Sequence, residues 1–234
     1  MSCAKSVDVI VPVFNRDLAI IEYVIVDFLK QNIDRVIIAN TGEKETGLAD
    51  NKRIIEAYAT MPSFYPGFTR NMGASVSSAN VQVHTGADII TIHGDWGLFR
   101  QVDDGEIMSP SCHILNAEET KQALAGIRQF PPSNRISSKS TATIAMTKHT
   151  AINLLHGPFC WAMVGWGCVD PDLAFRAVRQ GLIQRRADIS TAHLFHSGGC
   201  EELIFTGKLP VTPEFKRNKR LMDIKATTEG WWSC

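Results

Sequence analysis

Two carboxylates stand two residues apart in GWGCVDPDLAFR, at Asp170 and Asp172, directly after a turn built of glycine and tryptophan. A carboxylate at a helix start beside aromatic rings is partly stripped of water, and this can poise it as a general base. The same letters describe an ordinary helix entrance, with Asp170 as the cap, Pro171 at the first position, and Leu173, Phe175 and Val178 as core contacts. Taken alone, the cap is the commoner outcome. Trp161 and Trp166 could stack on a sugar or base ring, or simply pack in a core. Asp172 reads as helix-end electrostatics.

A second group with chemical potential is HLFH, which carries His193 and His196. Residues three apart on a strand face opposite ways, so at most one of the two is expected at a shared ligand unless the chain bends at Ser197 and Gly198. In isolation each imidazole also fits a core or strand-end residue.

These residues need elements to hold them. VDVIVPVF is a β-branched run that reads as a buried parallel strand, and Asp17 can cap the helix that follows to about Gln31. RVIIAN is a second such strand. Ala49 to Tyr58 reads as a helix, PSFYPG as a loop, Phe68 to Ser78 as a helix, and VQVHT as a short strand. The alternation predicts an α/β fold with a doubly wound, mostly parallel sheet flanked by helices. Such sheets bind ligands beyond the carboxyl ends of their strands, which marks Asn15, Arg16, Asn40, Thr41 and the turn Gly86, Ala87, Asp88. Further on, IMSPSCHIL and TATIAMT read as strands, AEETKQALAGIRQF as a helix capped by Asn116, and Leu182 to Ala187 as a strand.

The chain has 234 residues, 44% hydrophobic and 21% charged, which suits one large α/β domain. Lys plus Arg and Asp plus Glu each total 24, so no global field draws nucleic acid or membrane. Lys216, Arg217, Lys219 and Arg220 form the densest basic patch, which reads as a solvated helix face. Six cysteines without a CxxC pair, and no charged-then-apolar leader before the first strand, point to reduced thiols and a cytoplasmic protein. LAIIEYVIVDFL is too short and, with Glu22 and Asp27, too polar to span a bilayer.

VDVIVPVFNR, IIAN, TRNMG, TGAD, GWGCVDPDL and HLFH, in that order over roughly the first two hundred residues, resemble the family-two type of glycosyltransferase with the GT-A fold. Val7 to Arg16 and Gly157 to Gly181 also look like the chondroitin-polymerase and polypeptide N-acetylgalactosaminyltransferase branches, where a WG-ED-x-DL-x-x-R turn carries the base. The resemblance implies a single GT-A domain with a nucleotide-sugar half (1–95), an acceptor half (96–210) and a C-terminal helix and tail (211–234). It implies that Pro12, Val13, Asn15, Arg16 and Ala87 line a nucleotide pocket, that Asn40 approaches the base, and that Arg70 and Asn71 hold the uridine side. Asp88 matches the second carboxylate of a DxD metal motif, His193 or His196 the late histidine that completes the metal site, and Asp170 the acceptor-activating base.

Three positions depart from the family pattern. Gly86 stands at the first DxD carboxylate, Asn40 at a common nucleobase aspartate, and Val169 at the glutamate before the base. His84 and His93 are assigned as structural. Should the strand DIITI end at the site instead, His93 and Asp95 would replace Asp88.

The expected activity is an inverting transfer from a nucleotide sugar, UDP-linked, with Mn2+ or Mg2+ assisting the diphosphate leaving group. Trp161 and Trp166 would contact the acceptor, a saccharide hydroxyl or, as a lesser option, a hydroxymethylated base in phage DNA. In that option Trp231, Trp232 and the basic patch supply stacking and phosphate contacts. The alternative is an inactive nucleotide-sugar-binding module. A nucleotidyltransferase would open with a glycine-rich basic loop, and none follows the first strand.

Overall fold

The computed structural model describes residues 4–130, 136–137, 143–165, 168–196 and 212–227. Trp166, Ser197, Gly198, Trp231 and Trp232 lie outside the described residues. The chain opens with β1 (Val7–Val13), buried along its whole length, and α1 (Leu18–Leu29), whose cap Asp17 accepts a hydrogen bond from the Ala19 N–H at 2.9 Å. β2 (Arg35–Asn40) runs parallel to β1 with Val9 opposite Val36. The span expected to be helical before Tyr58 forms β3 (Ile54–Tyr58), parallel to β2. A five-residue segment with two adjacent isoleucines gains a full ladder on the open side of β2, which outweighs its local preference.

Next come α2 (Pro66–Val76) and β4 (Val81–His84), which lies on the other side of β1 and parallel to it. β5 (Ile89–His93), a 3-10 turn at Trp96–Gln101 and β6 (Glu106–Ile114) follow. Helix α3 (Ala117–Leu124) is closed by a capping box between Asn116 and Glu119. It stops short of the expected end because Gly126 turns the chain at φ +91°. Then come β7 (Ile136–Ser137), β8 (Ile144–Thr147), a π turn at Thr150–Leu154, α4 (Val169–Arg179), β9 (Ile183–His193) and α5 (Pro213–Thr227).

Among the described residues the strand order is β3-β2-β1-β4-β8-β6-β9-β5, with β7 on β6. The β3-β2-β1-β4 half is parallel as expected, whereas β8 inserts antiparallel to both β4 and β6. β9 then runs parallel to β6 and antiparallel to β5. Strand order reverses between β1 and β4, which makes the crevice beyond their carboxyl ends the switch point of the sheet.

Helix α1 packs on one face of this sheet with Phe28 against Trp96, ring centroids 4.6 Å apart. Helix α2 covers β1 and β2 through Met72 and Gly73, where a Cβ would lie 2.6 Å from Ile10 Cγ2. A second core joins β8, the 155–163 segment, α4 and α5 through Met146, Leu155, Phe159, Met163 and Leu173.

The entrance to α4 differs from the expected one. Cys168, at φ +66°, is the residue before the helix, and Asp170 and Asp172 both lie in the first turn. The buried stripe is Val169, Asp172, Leu173, Arg176 and Ala177, a helical i, i+3, i+4, i+7, i+8 pattern. Phe175 and Val178 fall off that stripe and are 44% and 66% exposed, so they are not core residues. On α5, Lys216, Arg217, Lys219 and Arg220 are exposed, and buried Asn218 docks the opposite side through the Val164 N–H and carbonyl. No described helix is long and apolar enough to cross a membrane.

Candidate functional site

The loops after β1 and β4 meet at the switch point. Arg16, three residues past β1, puts its guanidinium on Asp88 Oδ2. Asp88 immediately precedes β5, and the β5–β9 register sets Ile89 opposite His193. The ladder runs on for one more bond, Leu194 N–H to the Asp88 carbonyl at 2.8 Å. β9 ends there, and Phe195 N–H is taken by Thr120 Oγ1 of α3 at 2.7 Å. That departure from the strand returns His196 to the same side as His193. Their Nε2 atoms lie 3.1 Å from Asp88 Oδ2 and 3.5 Å from Asp88 Oδ1 respectively.

Both histidines therefore converge, contrary to the expectation that at most one would. Strand alternation fails as a guide because the strand stops at His193. Ligand atoms of Asp88, His193 and His196 all lie within 4.8 Å of one another. Burial raises the proton affinity of the Asp88 carboxyl, but His193, His196 and Arg16 outweigh it and hold the group well below the usual carboxylate range.

One carboxylate oxygen and two imidazole nitrogens fit a divalent transition metal, with room left for oxygen ligands from elsewhere. Such a mixed set suits manganese, iron or zinc better than calcium. The departure at Gly86 has a steric counterpart, since a Cβ there would lie 2.4 Å from Asp88 Oδ1. The Asp88 carboxylate folds over the glycine, and the two histidines stand beside it. His93 is exposed, and Asp95 accepts from Gly97 N–H and Asn32 N–H, so the alternative turn serves the 3-10 entrance.

The other strand-end residues divide into shaping and lining groups. Pro12 and Val13 are buried inside β1, and Ala87 is buried in the turn before Asp88. Asn15, at φ +46°, is exposed and accepts from the Glu43 N–H at 2.9 Å. Asn40 is 1% exposed. Its amide donates to the Lys44 carbonyl and to Glu56 Oε1, and its oxygen accepts from Gly42 N–H. Glu56 also accepts from the Thr46 N–H and hydroxyl, so Asn40 and Glu56 together hold the 41–46 loop. An aspartate at 40 would lack the two donors this loop uses.

Phe14 and Phe64 stack beside the same crevice, with ring centroids 5.8 Å apart and planes at 24°. Neither is among the pocket residues named above, although Phe14 sits between Val13 and Asn15 at a strand end. That position was the available signal.

The residues Arg70 and Asn71 of α2 point toward the second half of the chain. Arg70 Nη1 donates to Asp170 Oδ1 at 3.0 Å, and its guanidinium lies 4.8 Å from the centroid of Phe159. Asn71 grips the Phe159 backbone, donating to its carbonyl at 2.7 Å and accepting from its N–H at 3.3 Å. His84 meets the same ring edge-on at 4.9 Å. Burial first, and the Arg70 cation second, push the His84 pKa down to about 3, so this imidazole is neutral and structural.

Asp172 lies in the first turn of α4, as expected of a helix-end charge. It is also buried and paired with Arg176, which donates to the carbonyls of Leu155, Gly157 and Pro158. Trp161, 53% exposed, stands next to Cys160, whose carbonyl packs on Gly67 of α2.

The sequence matches no protein-family model and no curated protein. Solved structures do match. One is GalNAc-T7 crystallised with UDP, GalNAc and Mn2+, at a TM-score of 0.66 and 10% identity over 94% of this chain and 49% of that one. The fold is GT-A. A second GT-A structure is a mutant Drosophila β-1,4-galactosyltransferase 7 in complex with manganese, UDP-Gal and xylobiose. It matches at a TM-score of 0.57 and 12% identity, over 93% of this chain and 79% of that one. The present chain thus spans about half the length of the GalNAc-T7 chain.

Proposed function

We propose that this GT-A chain is a metal-assisted glycosyltransferase that moves a sugar from a UDP sugar to a saccharide hydroxyl with inversion. The observation that carries the reading is the convergence of Asp88, His193 and His196 at the switch point, in a fold shared with structures crystallised with manganese and UDP or UDP-Gal. Asp88, His193 and His196 would hold the cation. A divalent ion there neutralises the charge that develops on a diphosphate leaving group.

The chain's own residues supply the remainder. Arg16, already on Asp88, brings a second positive charge to the diphosphate side. Phe14 and Phe64 offer an aromatic wall for a nucleobase, and Asn40 with Glu56 sets the loop that borders it. Trp161 is exposed for stacking on an acceptor ring. The acceptor oxygen attacks the anomeric carbon, the bond to the diphosphate breaks, UDP leaves, and the hydroxyl proton passes to Asp170.

The test is UDP binding by calorimetry, with manganese and with chelator, together with UDP release from a panel of UDP sugars. Tighter UDP binding with manganese and slow hydrolysis of one donor are expected. Equal affinity in both buffers would sink the metal-assisted reading. Metal-dependent UDP binding with no turnover on any donor or acceptor would make the chain a binding module.

A further inference from the structure

We propose that Arg70 is a positioning residue for the transfer step, binding one oxygen of Asp170 and leaving the other open to take the acceptor's proton. The proposal rests on the reading of Asp170 as the base.

Arg70 comes from α2 and Asp170 from the first turn of α4, one hundred residues later. The side chain of Arg70 is 11% exposed and that of Asp170 37%. Asp170 Oδ1 receives the guanidinium, whereas Oδ2 takes no hydrogen bond from any described residue. A carboxylate held by one oxygen with the other accessible has the geometry of an aimed proton acceptor.

What fixes the guanidinium is packing. Its central carbon lies over the Phe159 ring, 4.8 Å from the centroid, and Phe159 is itself held through both backbone polar groups by Asn71. His84 closes on the ring edge and, being neutral, adds no repelling charge beside Arg70. Nε of Arg70 is buried without a hydrogen-bond partner. Asp170 is therefore the one carboxylate among the described residues that answers this buried cation. A lysine keeps the charge but lacks the fork of donors and the broad contact of a guanidinium on an aromatic ring.

The chain of support continues behind Phe159. Arg176 binds the carbonyls of Leu155, Gly157 and Pro158 and is itself held by Asp172. The segment that seats Arg70 is thus anchored to the same helix that carries Asp170.

The experiment compares wild type, Arg70→Lys, Arg70→Met, Asp170→Asn and the Arg70→Met/Asp170→Asn double variant. Each is measured for manganese-supported UDP release from UDP sugars at saturating donor, for UDP affinity by calorimetry, and for folded fraction by thermal melting. Arg70→Met is expected to lose about 10²-fold in kcat, the cost typical of a misplaced group. Arg70→Lys should fall between it and wild type, with UDP affinity unchanged in both. The double variant should be no slower than Asp170→Asn alone, because residues acting as one unit are non-additive.

If the two losses multiply in the double variant, or if Arg70→Met weakens UDP binding while keeping kcat, Arg70 does not act through Asp170 and the proposal fails alone. If Asp170→Asn releases UDP at the wild-type rate, the base reading fails and takes the proposal with it. The same holds if the wild type hydrolyses no donor. Loss of rate in proportion to loss of folded protein also overturns it, and Arg70→Lys, which keeps the positive charge, supplies the comparison should Arg70→Met fail to fold.

Discussion

Arg176 binds Asp172 through its Nε at 3.0 Å while its two terminal nitrogens take three backbone carbonyls, those of Leu155, Gly157 and Pro158. Both side chains are buried, so the pair ties α4 to the segment that leads into Phe159. Breaking one side of a buried pair leaves an uncompensated charge, which typically costs about 3–5 kcal/mol. Arg176→Met should therefore destabilise the chain by about that amount, read by urea unfolding. The double change Asp172→Leu/Arg176→Met should cost clearly less than the two single changes added together.

Manganese binding alone, without nucleotide, checks the histidine pair. His193→Ala and His196→Ala should each weaken it, because both imidazoles reach Asp88. A normal affinity in either variant removes that residue from the site. Thr120→Val removes the acceptor of the Phe195 N–H, the bond that turns the chain off the strand before His196, and should weaken manganese binding.

His84 predicts an acid limb in stability. Its pKa is lowered to about 3 in the folded chain, chiefly by burial, against an ordinary value of 6.5. Between those values the unfolded chain binds a proton that the folded chain refuses, so stability falls as the pH drops from 6.5 toward 3. The contribution is at most roughly 1.4 kcal/mol per pH unit. His84→Phe should flatten this limb in urea unfolding measured from pH 7 to pH 4. An equally steep limb in the variant would assign it to other groups.

Gly67 is pinned by close approach. A Cβ there would lie 1.9 Å from the Cys160 carbonyl oxygen, a backbone atom that cannot step aside as a flexible side chain would. Gly67→Ala should cost at least about 1–3 kcal/mol, the range for overpacking, with a visibly lower thermal midpoint. A midpoint unchanged from wild type would show that α2 and the 160 segment are free to separate.

Much of the frame was legible in the residues themselves. The β-branched runs at β1 and β2 announce buried parallel strands, and the caps at Asp17 and Asn116 make the bonds their types foretell. The switch point picks out Arg16 and Asp88, which do meet. These features close within a few residues or follow from burial on both faces of a strand, so local chemistry suffices to reveal them.

The remainder needed the fold. Ile54–Tyr58 became a strand because β2 offered an unpaired edge, which no feature of the segment records. His193 and His196 share a carboxylate because β9 stops where Thr120, on another element, takes the Phe195 N–H. The Asn40 side chain holds the 41–46 loop through Lys44, Gly42 and Glu56, and its Glu56 partner comes from the neighbouring strand. Arg70 and Asp170 are one hundred residues apart, and their pairing is set by how α2 crosses the 159–160 segment. Sequence fixes which residues are buried, capped or charged through interactions spanning a turn or two. Which distant partner each then meets depends on strand register and helix crossing, and those are decided only when the whole sheet is assembled.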